Sequence, residues 1–360
     1  MKKTQRLSLV ALSALFLFSC EDKKTTEETT FQIDSSKLNQ TYDIGQSVPL
    51  QITNKNKVAI DSVVYYVNNK RIGSAKNNDV FQYDLSTEKY GPKNINAEIF
   101  SGKTTGAAQV RIDMFPQDTP EILDFEIVNE YPHDIKAYTQ GLEFYGDILI
   151  ESTGNGEGVG TRTKGKSSIR HVNPKTGEVL KIEELDDQYF GEGATVLNDE
   201  IFMLTYLHNE GYVYDVHTLE KKRTFKYFQK MQGWGLVNDG QNLYMTGGSP
   251  NIYKVNPEDF SLIDYVTVAT NSQIIPAINE MEWVDGKIYA NVYTQDAIAI
   301  IDPQTGAVEG VLNLTSLKDE VTHHPDLDVL NGIAYNAKTD TFFVTGKNWD
   351  KMFEIRIHKK

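Results

Sequence analysis

From about residue 125 to the C-terminus, apolar and polar positions alternate in short blocks, and the blocks recur as a set. Five starts stand out: Gly141-Leu142-Glu143-Phe144, Gly193-Ala194-Thr195-Val196, Gly235-Leu236-Val237, Met281-Glu282-Trp283-Val284 and Gly332-Ile333-Ala334-Tyr335. Each opens a strand, turns on an Asn/Asp/Gly-type segment and returns on a β-branched and aromatic strand: DILIEST, EIFMLTY, NLYMTGG, KIYANVY and TFFVTGK. Four of the five continue into a third strand that ends near a hydrophilic turn, and the fifth ends as KMFEIRIHKK. The starts are 52, 42, 46 and 51 residues apart, the period of a β-propeller blade. Outer strands are expected in LKIEEL, TFKYFQK, LIDYVTVA and VEGVLNL, where apolar positions sit beside polar ones. The last repeat lacks its own fourth strand. The segment Ile122–Asn129 is expected to fill that place, lying beside Met352–Ile357 and closing the ring.

Upstream the pattern changes to short strands without a helical period, expected at 47–52, 60–67, 80–83, 95–100 and 107–114. Residues 46–117 read as a small immunoglobulin-like β-sandwich, with Pro116 and Pro120 marking its boundary. The fold class is therefore all-β: this sandwich, then a five-bladed β-propeller over 121–360. Residues 20–45 are polar and threonine-rich and read as a flexible tether.

The first 19 residues carry Lys2, Lys3 and Arg6 ahead of an apolar run from Leu7 to Phe18, too short to cross a bilayer as a mature helix. They end in Leu17-Phe18-Ser19-Cys20, which resembles the lipobox of a bacterial lipoprotein leader. That resemblance implies lipidation at Cys20, the chain's single cysteine, and tethering in a bacterial cell envelope, on the periplasmic face of a membrane or at the cell surface. A formal charge of -14 repels phosphate backbones and argues against a nucleic acid partner.

Two apparent motifs carry no chemistry. Residues 160–167 match the phosphate-loop pattern GxxxxGKS, but that chemistry needs a helix after the loop. Here the strand-like Ser168-Ile169-Arg170-His171-Val172 follows, so no nucleotide site is expected. The run Gly154–Gly165 reads instead as a mobile loop near one rim, placed to cover a pocket. His323 and His324, with Asp326 and Asp328, lack the order of a zinc site. The candidate chemistry lies at equivalent places in the repeats, where a propeller's inner strands enter the channel mouth. Gln140, Glu192, Trp234, Asn279 with Glu280, and Asn331 precede the five starts, and Glu151, Tyr206, Tyr293 and Lys347 come one strand later. A carboxylate buried against aromatics shuttles protons, and amide and ammonium donors suit a developing oxyanion.

Several long stretches resemble the plant-type glutaminyl-peptide cyclotransferase family: YTQGLEF (138–144), YFGEGATVL (189–197), GWGLVNDGQNLYMTGGS (233–249), NEMEWVDGKIYANVY (279–293) and NGIAYNAKTDTFFVTGKNWDKMFEI (331–355). The resemblance implies a five-bladed propeller that converts an N-terminal glutamine of a peptide or protein into pyroglutamate and releases ammonia. Glu192 matches the family's general acid/base, and Asn279 and Lys347 match the groups that hold the γ-carbonyl oxygen. Gln140, Phe190 and Trp234 match pocket walls, and Glu151 matches a second carboxylate near the site. Tyr206 and Tyr293 stand where family patterns usually carry tryptophan, which bears on pocket size and substrate preference. No redox or nucleotide cofactor is implied; a structural calcium ion in the channel is compatible with the fold. The alternative reading is a catalytically silent, lipid-anchored propeller that binds peptide or glycan. The joint presence of Glu192, Asn279 and Lys347 favours the enzyme. A lactonase on the same rim would need a central calcium held by several Asp, Glu and Asn side chains.

Overall fold

The computed structural model describes residues 31–358. The leader and Cys20 lie outside the described residues. The described residues are all-β, with two short 3-10 turns among them. Its larger part is built from consecutive four-stranded antiparallel meanders. One contains Thr139–Tyr145, Ile148–Thr153, Ser168–Val172 and Val179–Glu184, in that order. A second runs from Gly191–Leu197 to Lys221–Lys226, and a third from Leu236–Asn238 to Leu262–Thr267. An eight-stranded sheet completes the set. It joins the meander from Ile278–Val284 to Val308–Asn313 with the group Glu121–Pro132, Lys351–His358, Thr341–Gly346 and Leu330–Asn336.

The closure expected from sequence is present. Glu121–Pro132 pairs antiparallel with the C-terminal strand, Phe125 opposite Ile357 and Tyr131 opposite Met352. It also pairs in parallel with the end of the preceding meander, Leu123 opposite Leu312. The first strand of each group packs on the first strand of the next, and the ring returns to Thr139–Tyr145. This arrangement is propeller-like. Burial follows from it: Gly191–Leu197 and Glu200–Thr205 are almost wholly buried, whereas Lys221–Lys226 and Val179–Glu184 are almost wholly exposed. The repeated glycine at the inner strands has a steric cause. A Cβ at Gly235 would stand 1.8 Å from Asn279 O, and one at Gly193 would stand 2.6 Å from both Leu236 N and Trp234 O. Adjacent inner strands approach too closely for any side chain there.

The first domain has a five-stranded sheet whose neighbours run Thr41–Tyr42, Thr104–Met114, Gly91–Ser101, Ser62–Val67 and Lys70–Lys76, with two short strand pairs beside it. Burial alternates along Gly91–Ser101, as a half-buried strand requires. Two expectations need correction. Lys70–Lys76, absent from the expected strands, is a strand paired with Ser62–Val67. The tether is shorter than 20–45, because Phe31–Ile33, Ser35–Lys37 and Thr41–Tyr42 are ordered elements. Ile33 and Tyr42, 5% and 2% exposed, join the same core as Val48, Leu50 and Ile99. Isolated apolar residues in a polar segment signalled this burial.

The two parts meet through side chains. Ala269, Ile274 and Ala307 of the larger part pack into the first domain's core. Lys89 bonds Asp264 at 3.0 Å.

Candidate active site

At one mouth of the ring, Tyr138, Gln140, Phe190, Glu192, Tyr206, Trp234, Asn279, Tyr293 and Lys347 line a pocket of about 160 Å³. Pockets that engulf a drug-sized ligand run to roughly 300–1,000 Å³. This one suits a single residue of a longer chain.

The backbone explains why these side chains converge. The first strands of four groups carry a register shift at their entrances, between Thr139 and Gly141, Gly191 and Ala194, Ile278 and Met281, and Leu330 and Ile333; the group that contributes Trp234 has none. Gln140, Glu192, Asn279 and Asn331 sit inside these shifts. A bulge of this kind takes residues out of the ladder and re-aims their side chains. The neighbouring wall comes from the second strands. Tyr206 N donates to Phe190 O at 3.0 Å, Tyr293 N to Ala277 O at 2.9 Å and Lys347 N to Val329 O at 2.9 Å. The equivalent bond in the first group is Gly154 N to Tyr138 O at 2.9 Å.

That register relocates Glu151. The position matching Tyr206, Tyr293 and Lys347 is Gly154, three residues further on, and Glu151 stands inside the strand opposite Leu142. It does not line the pocket. It is buried behind it, accepting from Thr139 Oγ1 at 2.7 Å and facing His133 Nε2 at 3.0 Å and Arg170 Nη1 at 3.7 Å. Burial alone would raise its carboxyl, but the charges of His133 and Arg170 win and hold it at about 2. Burial likewise opposes a proton on His133, yet Glu151 raises its pKa. With Nδ1 at 2.9 Å from Trp349 O, both imidazole nitrogens face acceptors, as in a charged imidazolium.

The pocket floor is polar. Burial pushes the Glu192 carboxyl well above its ordinary range, opposed by the Lys347 charge. Burial pushes the Lys347 ammonium down, opposed by Glu192 and Asp328. Lys347 Nζ lies 4.8 Å from the Tyr138 ring centre and 5.4 Å from that of Tyr293. Asn279 Nδ2 donates to Asn331 Oδ1 at 3.0 Å, and Asn331 Nδ2 donates to Thr139 O at 2.8 Å and Gln140 Oε1 at 3.3 Å. This chain fixes both amides and leaves the second Asn279 N–H free for another acceptor. Aromatic rings form the collar: Tyr138 against Phe190, Phe190 against Tyr206 and Trp234 against Tyr293, with centroids 6.0, 5.7 and 5.6 Å apart.

Sequence reading passed over Tyr138, although Tyr138-Thr139-Gln140-Gly141 repeats the aromatic-x-polar-glycine order of Phe190-Gly191-Glu192-Gly193. Its hydroxyl donates to Asp328 at 2.9 Å. The Gly154–Gly165 loop contributes no residue to the pocket wall. Asp326 anchors it by accepting from Thr161 N at 2.7 Å and Gly160 N at 3.0 Å. A strand, Ser168–Val172, follows the GxxxxGKS match, with no helix. His324 Nε2 faces Asn348 O at 2.7 Å. Further down the channel Glu280 and Glu282 are buried and Glu143 is half-buried, all three with raised pKa values, that of Glu143 at about 7. Among the described residues no group of three or more His, Cys, Asp or Glu side chains is placed to hold a metal ion.

Comparison with known proteins agrees with this geometry. A model of the glutamine cyclotransferase family matches residues 98–357. A glutaminyl-peptide cyclotransferase of Arabidopsis thaliana is 38% identical over 239 residues, covering 66% of this chain and 72% of the plant protein. The crystal structure of Myxococcus xanthus glutaminyl cyclase superposes with a TM-score of 0.60 at 30% identity, covering 66% of this chain and 98% of that one. The chain belongs to the glutamine cyclotransferase family.

Proposed function

We propose that this protein is a glutaminyl-peptide cyclotransferase, an acyltransferase of the aminoacyltransferase type that closes the N-terminal glutamine of peptides or proteins to pyroglutamate. One observation carries the reading: a buried carboxyl with a raised pKa shares a residue-sized, aromatic-walled pocket with an ammonium and an oriented amide donor.

The reaction needs little beyond these groups. The neutral α-amine attacks the γ-carboxamide carbon, an N–C bond forms and the carbonyl oxygen gains charge. Asn279 Nδ2 and Lys347 Nζ supply donors to that oxygen. Glu192 takes the proton from the attacking nitrogen and passes it to the departing amide nitrogen. The C–N bond breaks and ammonia leaves. A carboxyl raised above its ordinary range holds a returned proton more readily than a solvated one and suits both halves of that transfer. The amine is tethered to its electrophile, so holding the glutamine side chain folded back supplies much of the acceleration. Gln140, Phe190, Tyr206, Trp234 and Tyr293 serve that holding role, and Glu151 supports the Tyr138–Gln140 segment from behind. No cofactor takes part in the reaction as written.

The scaffold in this reading is a five-bladed propeller behind an immunoglobulin-like sandwich, lipid-anchored through Cys20 in a bacterial cell envelope. Labelling with a radioactive fatty acid, lost in Cys20→Ser, tests the anchor. Mass spectrometry of a glutaminyl peptide incubated with the protein tests the activity. Loss of one ammonia with a blocked N-terminus is expected, and an unchanged peptide would contradict it.

A further inference from the structure

Beyond Tyr293 a second cavity opens, of about 490 Å³. Tyr293 lines both this cavity and the Glu192 pocket. It is the exposed member of the pocket wall, at 38%, whereas Glu192, Asn279 and Lys347 are buried. A peptide held by its first residue can therefore leave the pocket across Tyr293. The cavity walls come from Val292, Ala297, Ala299 and Val311 on the strands, and from Ile275 and Pro276 on the connection ahead of them. None of its lining residues is charged, on a chain of net charge -14.

The connection is a fixed wall. Thr270 N donates to Gln273 O, and Ile275 N to Val268 O, both at 2.9 Å. Ile274 packs into the first domain's core, and Asn271 Nδ2 donates to Thr119 Oγ1 at 2.9 Å. Ala277 and Thr294, flanking the mouth, hold φ of 61° and 68°. Residues with a Cβ keep that left-handed conformation only where their surroundings impose it, and such positions gather at functional sites.

We propose that this groove is a subsite for the residue following the N-terminal glutamine, that it selects an apolar side chain there, and that the first domain serves it by holding the 270–277 connection. The proposal rests on the cyclotransferase reading. A competing exit runs past Tyr138 into a depression lined by Lys136, Lys164, Lys166, Arg170 and Asp326. Its Lys166 and Arg170 are already engaged by Asp187 and Asp134, and the Tyr138 hydroxyl is tied to Asp328.

The test compares three peptides that differ only in the second residue, Gln-Leu, Gln-Gly and Gln-Asp, by ammonia release from the native protein. Partial burial of a leucine side chain predicts a kcat/KM for Gln-Leu about tenfold above that for Gln-Gly. In Ala297→Phe, which fills the groove, the ratio is expected to fall towards one. Equal rates for Gln-Leu and Gln-Gly in the native protein would overturn the subsite while leaving the cyclotransferase reading intact. A preference for Gln-Asp would overturn it by placing the chain past Tyr138. No ammonia from any of the three would reject the cyclotransferase reading, and the subsite with it.

Discussion

Lys347 and Glu192 are buried in the same pocket, and the charge of each restrains the shift that burial imposes on the other. The pair therefore sets the acidity of the site. Neither group is in its ordinary state, and the position of the proton between substrate and carboxyl depends on the ammonium beside it.

Lys347→Met removes the charge that favours the Glu192 carboxylate, so the Glu192 pKa should climb further. Turnover starts from that carboxylate, so the acid limb of the kcat/KM profile should move to higher pH. The rate at its plateau should also fall, by about 10²–10³-fold for a lost oxyanion donor. A limb that stays in place or moves to lower pH would show that Lys347 does not tune Glu192.

Glu151→Gln should act on stability before chemistry. The substitution leaves the buried His133 without its countercharge and Arg170 with Asp134 alone, and breaking a buried pair costs about 3–5 kcal/mol. The folded pKa of Glu151 is depressed to about 2, so its contribution is complete above about 4.5 and lost as pH falls towards 2. Urea unfolding at pH 7 should record the loss. Unchanged stability with abolished turnover would instead place Glu151 in the reaction itself.

The channel glutamates carry the opposite sign. Glu282 is raised by burial and by the charges of Glu143 and Glu280, so it favours folding while protonated and disfavours it once ionised. Its contribution is complete below about 4.5 and lost as pH rises through the raised value. Glu282→Gln keeps an acceptor for Tyr335 N, which Glu282 Oε1 meets at 2.9 Å. Thermal melts of the variant should gain most at alkaline pH and show a smaller drop in Tm between pH 5 and pH 8.5. An unchanged drop would mean that Glu282 does not govern the alkaline loss.

The repeat was legible because it is written in local physics. Glycines mark inner strands that nearly touch, period-two runs mark strands, and polar outer strands mark the solvent side. The closing strand was legible too, since the last repeat lacked a partner that DFEIVNE supplied. The bulges were not. A register shift of one or two residues leaves no compositional trace, and without it Glu151 counted as equivalent to Tyr206, Tyr293 and Lys347 when Gly154 holds that place. The histidine behind the pocket escaped notice because His133 acquires its meaning only through contacts with Glu151 and Trp349, far apart in sequence. Residues 31–45 were misread for a compositional reason: two buried residues, Ile33 and Tyr42, outweigh the polar ones around them.

The central claim is that Glu192 moves the proton, and ammonia release from a glutaminyl peptide by the native protein and by Glu192→Gln tests it most directly. Glutamine keeps the shape of the pocket but cannot accept and return a proton, so turnover should fall by about 10²–10⁴-fold with the fold intact by circular dichroism. A Glu192→Gln protein that releases ammonia at near-native rate would contradict the account.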